Sequence, residues 1–227
     1  MTRGELKDSV RRWLRAEEGE SDSDRYWTES DLNEYAQDAV DVFCRLSKLI
    51  RDSLTPSVCL LTLNPEDQHI ALSPLILSIE RVKPSWGSYP LRLTSLDEVT
   101  RLQPAWEDDT GSPDAYLLDY SKGYLSLNRA VVDTGTLRLT VRRMPLLPLD
   151  SDNAVPEINP EYHHMLKDYM LYRAFSAQDS EMYNPDKARH HLVLFQGNDE
   201  QDPGGHIGRV LKENSEPLPN IRRTQFF

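Results

Sequence analysis

The sequence predicts an α+β protein: helix pairs at the two ends of the chain form one bundle, a small antiparallel β-domain is inserted between them, and an extended tail follows. Three observations predict this layout. Apolar residues recur at helical spacing before residue 51 and again after residue 159. Between them, β-rich runs of strand length are broken by Pro and Gly. Beyond residue 197 periodicity disappears. The expected segments are 1–55 and 151–197 for the bundle, 56–150 for the β-domain and 198–227 for the tail.

The elements follow in order. Thr2 and Glu5 have capping-box spacing, and Leu6, Val10, Trp13 and Leu14 then mark a first helix to about Arg15. The second helix has Thr28 as N-cap and Asp31 three positions on, with Trp27 and Leu32 spaced as a hydrophobic staple. Leu32, Tyr35, Ala36, Ala39, Phe43, Leu46 and Ile50 form its apolar stripe. After Pro56, "SVCLLTL" and "LILSIERV" read as strands. Ser95 and Glu98 cap a short helix ending near Pro104. "DAYLLDYSKGYLSLNRA" reads as a hairpin turning at Ser121, Lys122 and Gly123, and "TGTLRLTVRRMP" alternates as a half-buried strand. Helices restart at Asn159-Pro160 and Asn184-Pro185, with Gly197 placed to stop the last one. The tail cannot build a core of its own, yet it ends in "NIRRTQFF".

Composition narrows the function. Net charge is −11, which argues against a surface that grips nucleic acid throughout, because phosphate binding needs clustered Lys and Arg. Charge is uneven: residues 1–15 carry five Lys/Arg against two acids, and 17–34 carry eight acids against one Arg. The acidic run reads as a solvated loop. Cys44 and Cys59 lie in apolar runs without zinc spacing, the pattern of reduced thiols in a cytosolic product. No apolar run approaches the ~18 residues of a membrane span. The basic start has no apolar core, so no signal peptide is expected.

Candidate chemistry centres on "PEYHHMLKDYMLYRAF", residues 160–175. His163 and His164 point about 100° apart on a helix and cannot share one ion. His164 and Asp168 are spaced i,i+4 and could, if His190 or His191 completed the set from the next helix. There is no HExxH, and His69 and His206 fall in loops without evident partners. "DPGGHIGRV" lacks the Walker pattern and context, no GxSxG occurs, and mid-helix Cys44 is poorly placed for an activated thiolate. The acidic loop of Glu107, Asp108 and Asp109 is of ordinary composition.

A helical projection from Tyr162 gathers Tyr162, Met165, Leu166, Tyr169, Met170 and Tyr172 on the expected core face. The opposite side holds His164, Asp168, Leu171 and Phe175. Two explanations stay open there: a scattered exposed apolar pair, or a helix covered a second time by something outside its own bundle.

Three passages carry a family likeness. They are "RYWTESDLNEYAQDAVDVFCRL", "LRLTSLDEVTRLQPAWEDDTGSPDAYLLDY" and "PEINPEYHHMLKDYMLYRAFSAQDSEMYNPDKARHHLVLF". In order and spacing, residues 2–195 resemble the head-to-tail connector (adaptor) proteins of tailed bacteriophages. The resemblance implies a structural, non-enzymatic subunit with no cofactor. It implies a ring of about twelve copies beneath the portal protein, in the virion neck, assembled in the bacterial host cytoplasm. Such a ring extends the DNA channel and receives tail or nozzle proteins. Genomic DNA then passes without specific binding, and no membrane is involved. In a ring, His164, Asp168, Leu171 and Phe175 become the expected subunit contact. The tail becomes a docking arm for the portal, with Ile221, Arg222, Arg223, Phe226 and Phe227 as its contacts. The alternatives are another ring of the neck or tail, such as a stopper or tail-tube subunit, and a metal-dependent hydrolase built on the His/Asp helices.

Overall fold

The computed structural model describes residues 1–18, 27–177, 183–198 and 204–215. The chain divides into two compact units, Ile50–Met144 and the paired stretches Met1–Leu49 and Pro145–Phe227. The described residues hold seven α-helices and two four-stranded sheets, an α+β architecture.

In the helical unit, α1 spans Arg3–Glu18, and Thr2 and Glu5 close the reciprocal bonds of a capping box at its start. Helix α2 spans Glu29–Ser47. The Thr28 hydroxyl accepts from the Asp31 amide, and the Asp31 carboxylate accepts from Thr28 N–H, so two helix-end donors are satisfied. Trp27 and Leu32 are buried at the staple positions. A left-handed Lys48 ends the helix, its N–H returning to the Cys44 carbonyl. The face buried by α2 includes Leu32, Tyr35, Ala36, Ala39, Val40 and Phe43, and each large side chain so buried contributes about 1.5–3 kcal/mol.

The second half of this unit begins with a 3-10 turn, Pro160–Met165, that runs into helix α5, Leu166–Ser176. Asn159 precedes the turn without a side-chain capping bond. Helix α6 spans Pro185–Gln196, capped by Asn184, whose side chain accepts from the Lys187 amide. Gly197, in the positive-φ region at 87°, ends it. A further helix, α7, covers Gly205–Ser215. The expectation that everything beyond residue 197 is extended is therefore corrected. Ile207 and Val210, spaced i,i+3, are buried, and this pair provides the apolar face that the polar stretch around it hides.

The β-unit contains β1 (Arg51–Asp52), a short helix α3 (Pro56–Cys59), β2 (Leu60–Leu63), β3 (His69–Ala71), β4 (Ile76–Pro84), β5 (Arg92–Leu93), helix α4 (Leu96–Leu102), β6 (Ala115–Leu117), β7 (Tyr124–Leu127) and β8 (Gly135–Arg143). Strand β8 is the spine of the first sheet. Strands β1 and β2 pair with successive parts of it, and β4 pairs along most of its length, with two register shifts. The second sheet runs β3-β7-β6-β5. Leu137, Leu139 and Val141 of β8 and Val82 of β4 meet Tyr116, Leu125 and Leu127 of the second sheet in one core.

Two strand expectations are corrected. The run beginning at Pro56 opens as a helical turn, because proline fixes φ and suits a first helical position. The β-unit is not purely antiparallel: β5 and β6 are parallel, joined by the crossover through α4.

Inside the β-unit, Asp52 and Arg143 form a buried ion pair at 2.6 Å. Burial opposes the Asp52 charge, but bonds from Thr55, the Leu54 amide and Arg143 outweigh it and hold the carboxyl well below the usual range. Burial, with Asp52 nearby, pushes the Cys59 thiol up to about 11, so it is an unreactive core group.

Candidate functional site

Helix α5 carries most of the residues that the sequence singled out, and its surroundings decide their roles. Leu171 and Phe175 have no accessible surface. Trp13 of α1 and Trp27 meet the Phe175 ring edge-on at centroid distances of 5.9 and 6.3 Å, and His191 of α6 stacks on it at 6.2 Å. The Trp27 indole N–H donates to the Ala174 carbonyl at 3.2 Å. The outer apolar stripe expected for a neighbouring subunit is thus corrected: its two apolar members are core residues of this chain. A helix apolar on both sides is a central helix, and α1, α2 and α6 all pack on α5. The projection also assumed a helix of uniform pitch, whereas the stretch begins as 3-10, with about three residues per turn.

His163 and His164 part company as their spacing predicts. His163 is fully buried, and its Nε2 lies 3.0 Å from the Ile158 carbonyl. Burial pushes its imidazole below the ordinary histidine range. His164 is exposed, its ring edge-on to His206 at 6.2 Å. It does not meet Asp168 in any hydrogen bond or ion pair among the described residues.

Asp168 instead binds two distant imidazoles. One carboxylate oxygen is 2.9 Å from His191 Nδ1, and the other is 2.8 Å from His206 Nε2. Burial opposes its charge, but the His191 and His206 bonds outweigh that cost and hold the carboxyl well below the usual carboxylate range. The carboxylate therefore ties three helices together: α5, α6 through His191, and α7 through His206. Glu213, near the far end of α7, accepts from the Tyr162 hydroxyl at 3.0 Å. Burial and this carboxylate push Tyr162 up to about 12, so it stays a donor. Helix α7 is pinned at both ends.

His206 is thus not a loop histidine without a partner. Nothing near it in the sequence points to Asp168, 38 residues away. Only the Ile207/Val210 spacing could have signalled the helix that delivers it. His69, also expected in a loop, lies in β3, with its Nδ1 2.9 Å from Ser126 and its ring stacked on Tyr120. Among the described residues, no group of three or more His, Cys, Asp or Glu side chains is arranged to hold a metal ion. None of the described helices is long and apolar enough to cross a membrane.

A second polar cluster lies at α1. Lys7, almost fully buried, donates to Glu29 and to Asp152, both at 2.7 Å. Arg11 also pairs with Glu29, and Arg3 with Asp152 at 3.0 Å. Arg3, Lys7 and Arg11 therefore neutralise Glu29 of α2 and Asp152 of the stretch entering the second helical half. Ile221, Arg222, Arg223, Phe226 and Phe227, expected to form a docking arm, lie outside the described residues.

Among the described residues, these polar side chains clasp helices of an α+β protein to one another. A family model for the SU10 adaptor protein matches residues 1–205. The chain belongs to that family, one of phage adaptor proteins. No curated protein matches it.

Proposed function

We propose that this protein is the head-to-tail adaptor of a tailed phage. It forms a ring of about twelve copies under the portal protein and extends the DNA channel. The same ring offers tail or nozzle proteins their attachment site. The observation that carries this reading is the family match over residues 1–205. The helical stretches form the bundle, the β-unit is its inserted domain, and residues beyond α7 form the portal-docking arm, with Ile221, Arg222, Arg223, Phe226 and Phe227 as contacts. An arm with paired arginines and a terminal Phe pair suits coupled folding and binding: the rings supply buried anchors and the arginines orient them. The negative net charge lets DNA slide past without counterion release favouring capture. The protein works in the virion neck, after assembly in the host cytoplasm, and does so without catalysis.

The test is binding to DNA-filled, portal-bearing capsids that lack tails. The full chain is expected to co-sediment with them at a fixed ratio and to restore tail attachment. Capsids that take up none of it, or that gain tails equally well without it, contradict the adaptor role. A chain truncated after Ser215 is expected to stay folded and to lose capsid binding.

A further inference from the structure

The outer face of the first β-sheet carries an arrangement that the fold alone does not explain. Leu137, Leu139 and Val141 of β8 point into the core, so Arg138, Thr140 and Arg142 face outward. The pairing register sets Lys83 of β4 opposite Arg138, Arg81 opposite Thr140, and Arg51 of β1 opposite Arg142. Like charges in directly opposed positions destabilise a sheet. Glu80 relieves one pair, bonding Arg142 at 2.6 Å and Arg51 at 2.7 Å. Arg81, Lys83 and Arg138 are exposed and have no ionic partner among the described residues. This face is basic in a chain of net charge −11.

The opposite side of the same unit has the contrary character. Leu117 of β6 points away from the main core and packs with Val99 and Trp106, so α4 and the turn over 103–109 form a layer on the far side of the second sheet. That turn holds Glu107, Asp108 and Asp109 and no cation. Arg129 neutralises Asp109, while Asp97, Glu107 and Asp108 stay exposed without a cation partner among the described residues. Each layer also exposes a leucine: Leu60, opposite Arg138 in the basic face, and Leu102 at the end of α4.

We infer that the basic outer face of the first sheet is a docking surface for the acidic α4 layer of a second copy of this chain. Two different patches on opposite sides of one unit make a heterologous, head-to-tail contact, the kind that closes into rings. Charge complementarity sets the register, and the like-charge rows are relieved by acids from the next copy. A second copy fits better than DNA. The exposed leucines suit a protein contact, phosphates would leave Leu60 uncovered, and the chain's net charge repels a polyanion at long range. The inference rests on the ring reading for its context, but its test does not need the portal.

The experiment is sedimentation velocity of the full chain over a concentration series at low and high salt. Three variants accompany it: Lys83→Glu/Arg138→Glu, Glu107→Lys/Asp108→Lys, and all four substitutions together, with circular dichroism to verify folding. The wild type is expected to self-associate and to weaken as salt rises. Each double variant is expected to weaken association by about tenfold or more, and the fourfold variant to regain it. Unchanged association in the folded Lys83→Glu/Arg138→Glu variant, no recovery in the fourfold variant, or a wild type that stays monomeric at every concentration overturns the inference. Binding of a short duplex DNA by the wild type, lost in Lys83→Glu/Arg138→Glu, would reassign the face to phosphates and also overturn it. The adaptor reading fails separately: a wild type that self-associates by charge yet ignores portal-bearing capsids contradicts that role and leaves this contact standing.

Discussion

Asp168 is the residue on which the C-terminal helices depend. Each of its oxygens is engaged by an imidazole from a different helix, and little of its side chain meets water. Charge-assisted hydrogen bonds at buried sites are worth about 1.5–3 kcal/mol, so Asp168→Asn is expected to destabilise the helical unit by about 2 kcal/mol. Its carboxyl is held below the unfolded value, so its contribution is fully present above about pH 4 and is lost as the pH falls through that region and below. Thermal unfolding from pH 6 to pH 3 checks the sign: the gap between wild type and Asp168→Asn should narrow as acid is added, and a gap that widens contradicts it. Asp52 and Arg143 make a parallel case in the β-unit. Removing one partner strands the other in the core, and Arg143→Met should cost about 3–5 kcal/mol in chemical denaturation.

Among elements, α7 is the most exacting in its geometry. Gly205, which opens it, has a φ of 60°, and a Cβ there would run into the Leu194 and Val193 carbonyls at the end of α6. Gly205→Ala is therefore expected to detach α7, with loss of amide-exchange protection at Ile207 and Val210 while α2 keeps its own. The same helix marks the boundary of what was legible in the sequence. The caps of α1, α2, α4 and α6 are local, and Thr28, Ser95 and Asn184 announce them by type and spacing. The β8 alternation is equally local. Helix α7 has no comparable cap signal, and its evidence is a contact made 38 residues away. The parallel β5–β6 pair was illegible for the same reason, since two-residue β5 has no periodicity to read. Leu171 and Phe175 were visible as apolar. What packs on Phe175, namely Trp13, Trp27 and His191, is set by tertiary packing that a single-helix projection does not contain.

At the scale of the whole molecule, the chain combines a helical unit built from both ends of the sequence with a β-unit of opposed charged faces, and it belongs to the SU10 adaptor family. Among the described residues, Asp168 and Lys7 clasp helices, while Arg138 and Glu107 face outward in patches. Both arrangements suit a subunit whose work is to hold shape and meet neighbours. In the proposed function, these neighbours are further copies of the chain on a portal. Electron microscopy of purified portal rings mixed with the full chain tests it most directly. A closed ring of added density, coaxial with the portal and continuing its channel, is the expected result. Portal rings that emerge unchanged, or density that sits off the axis, would contradict it.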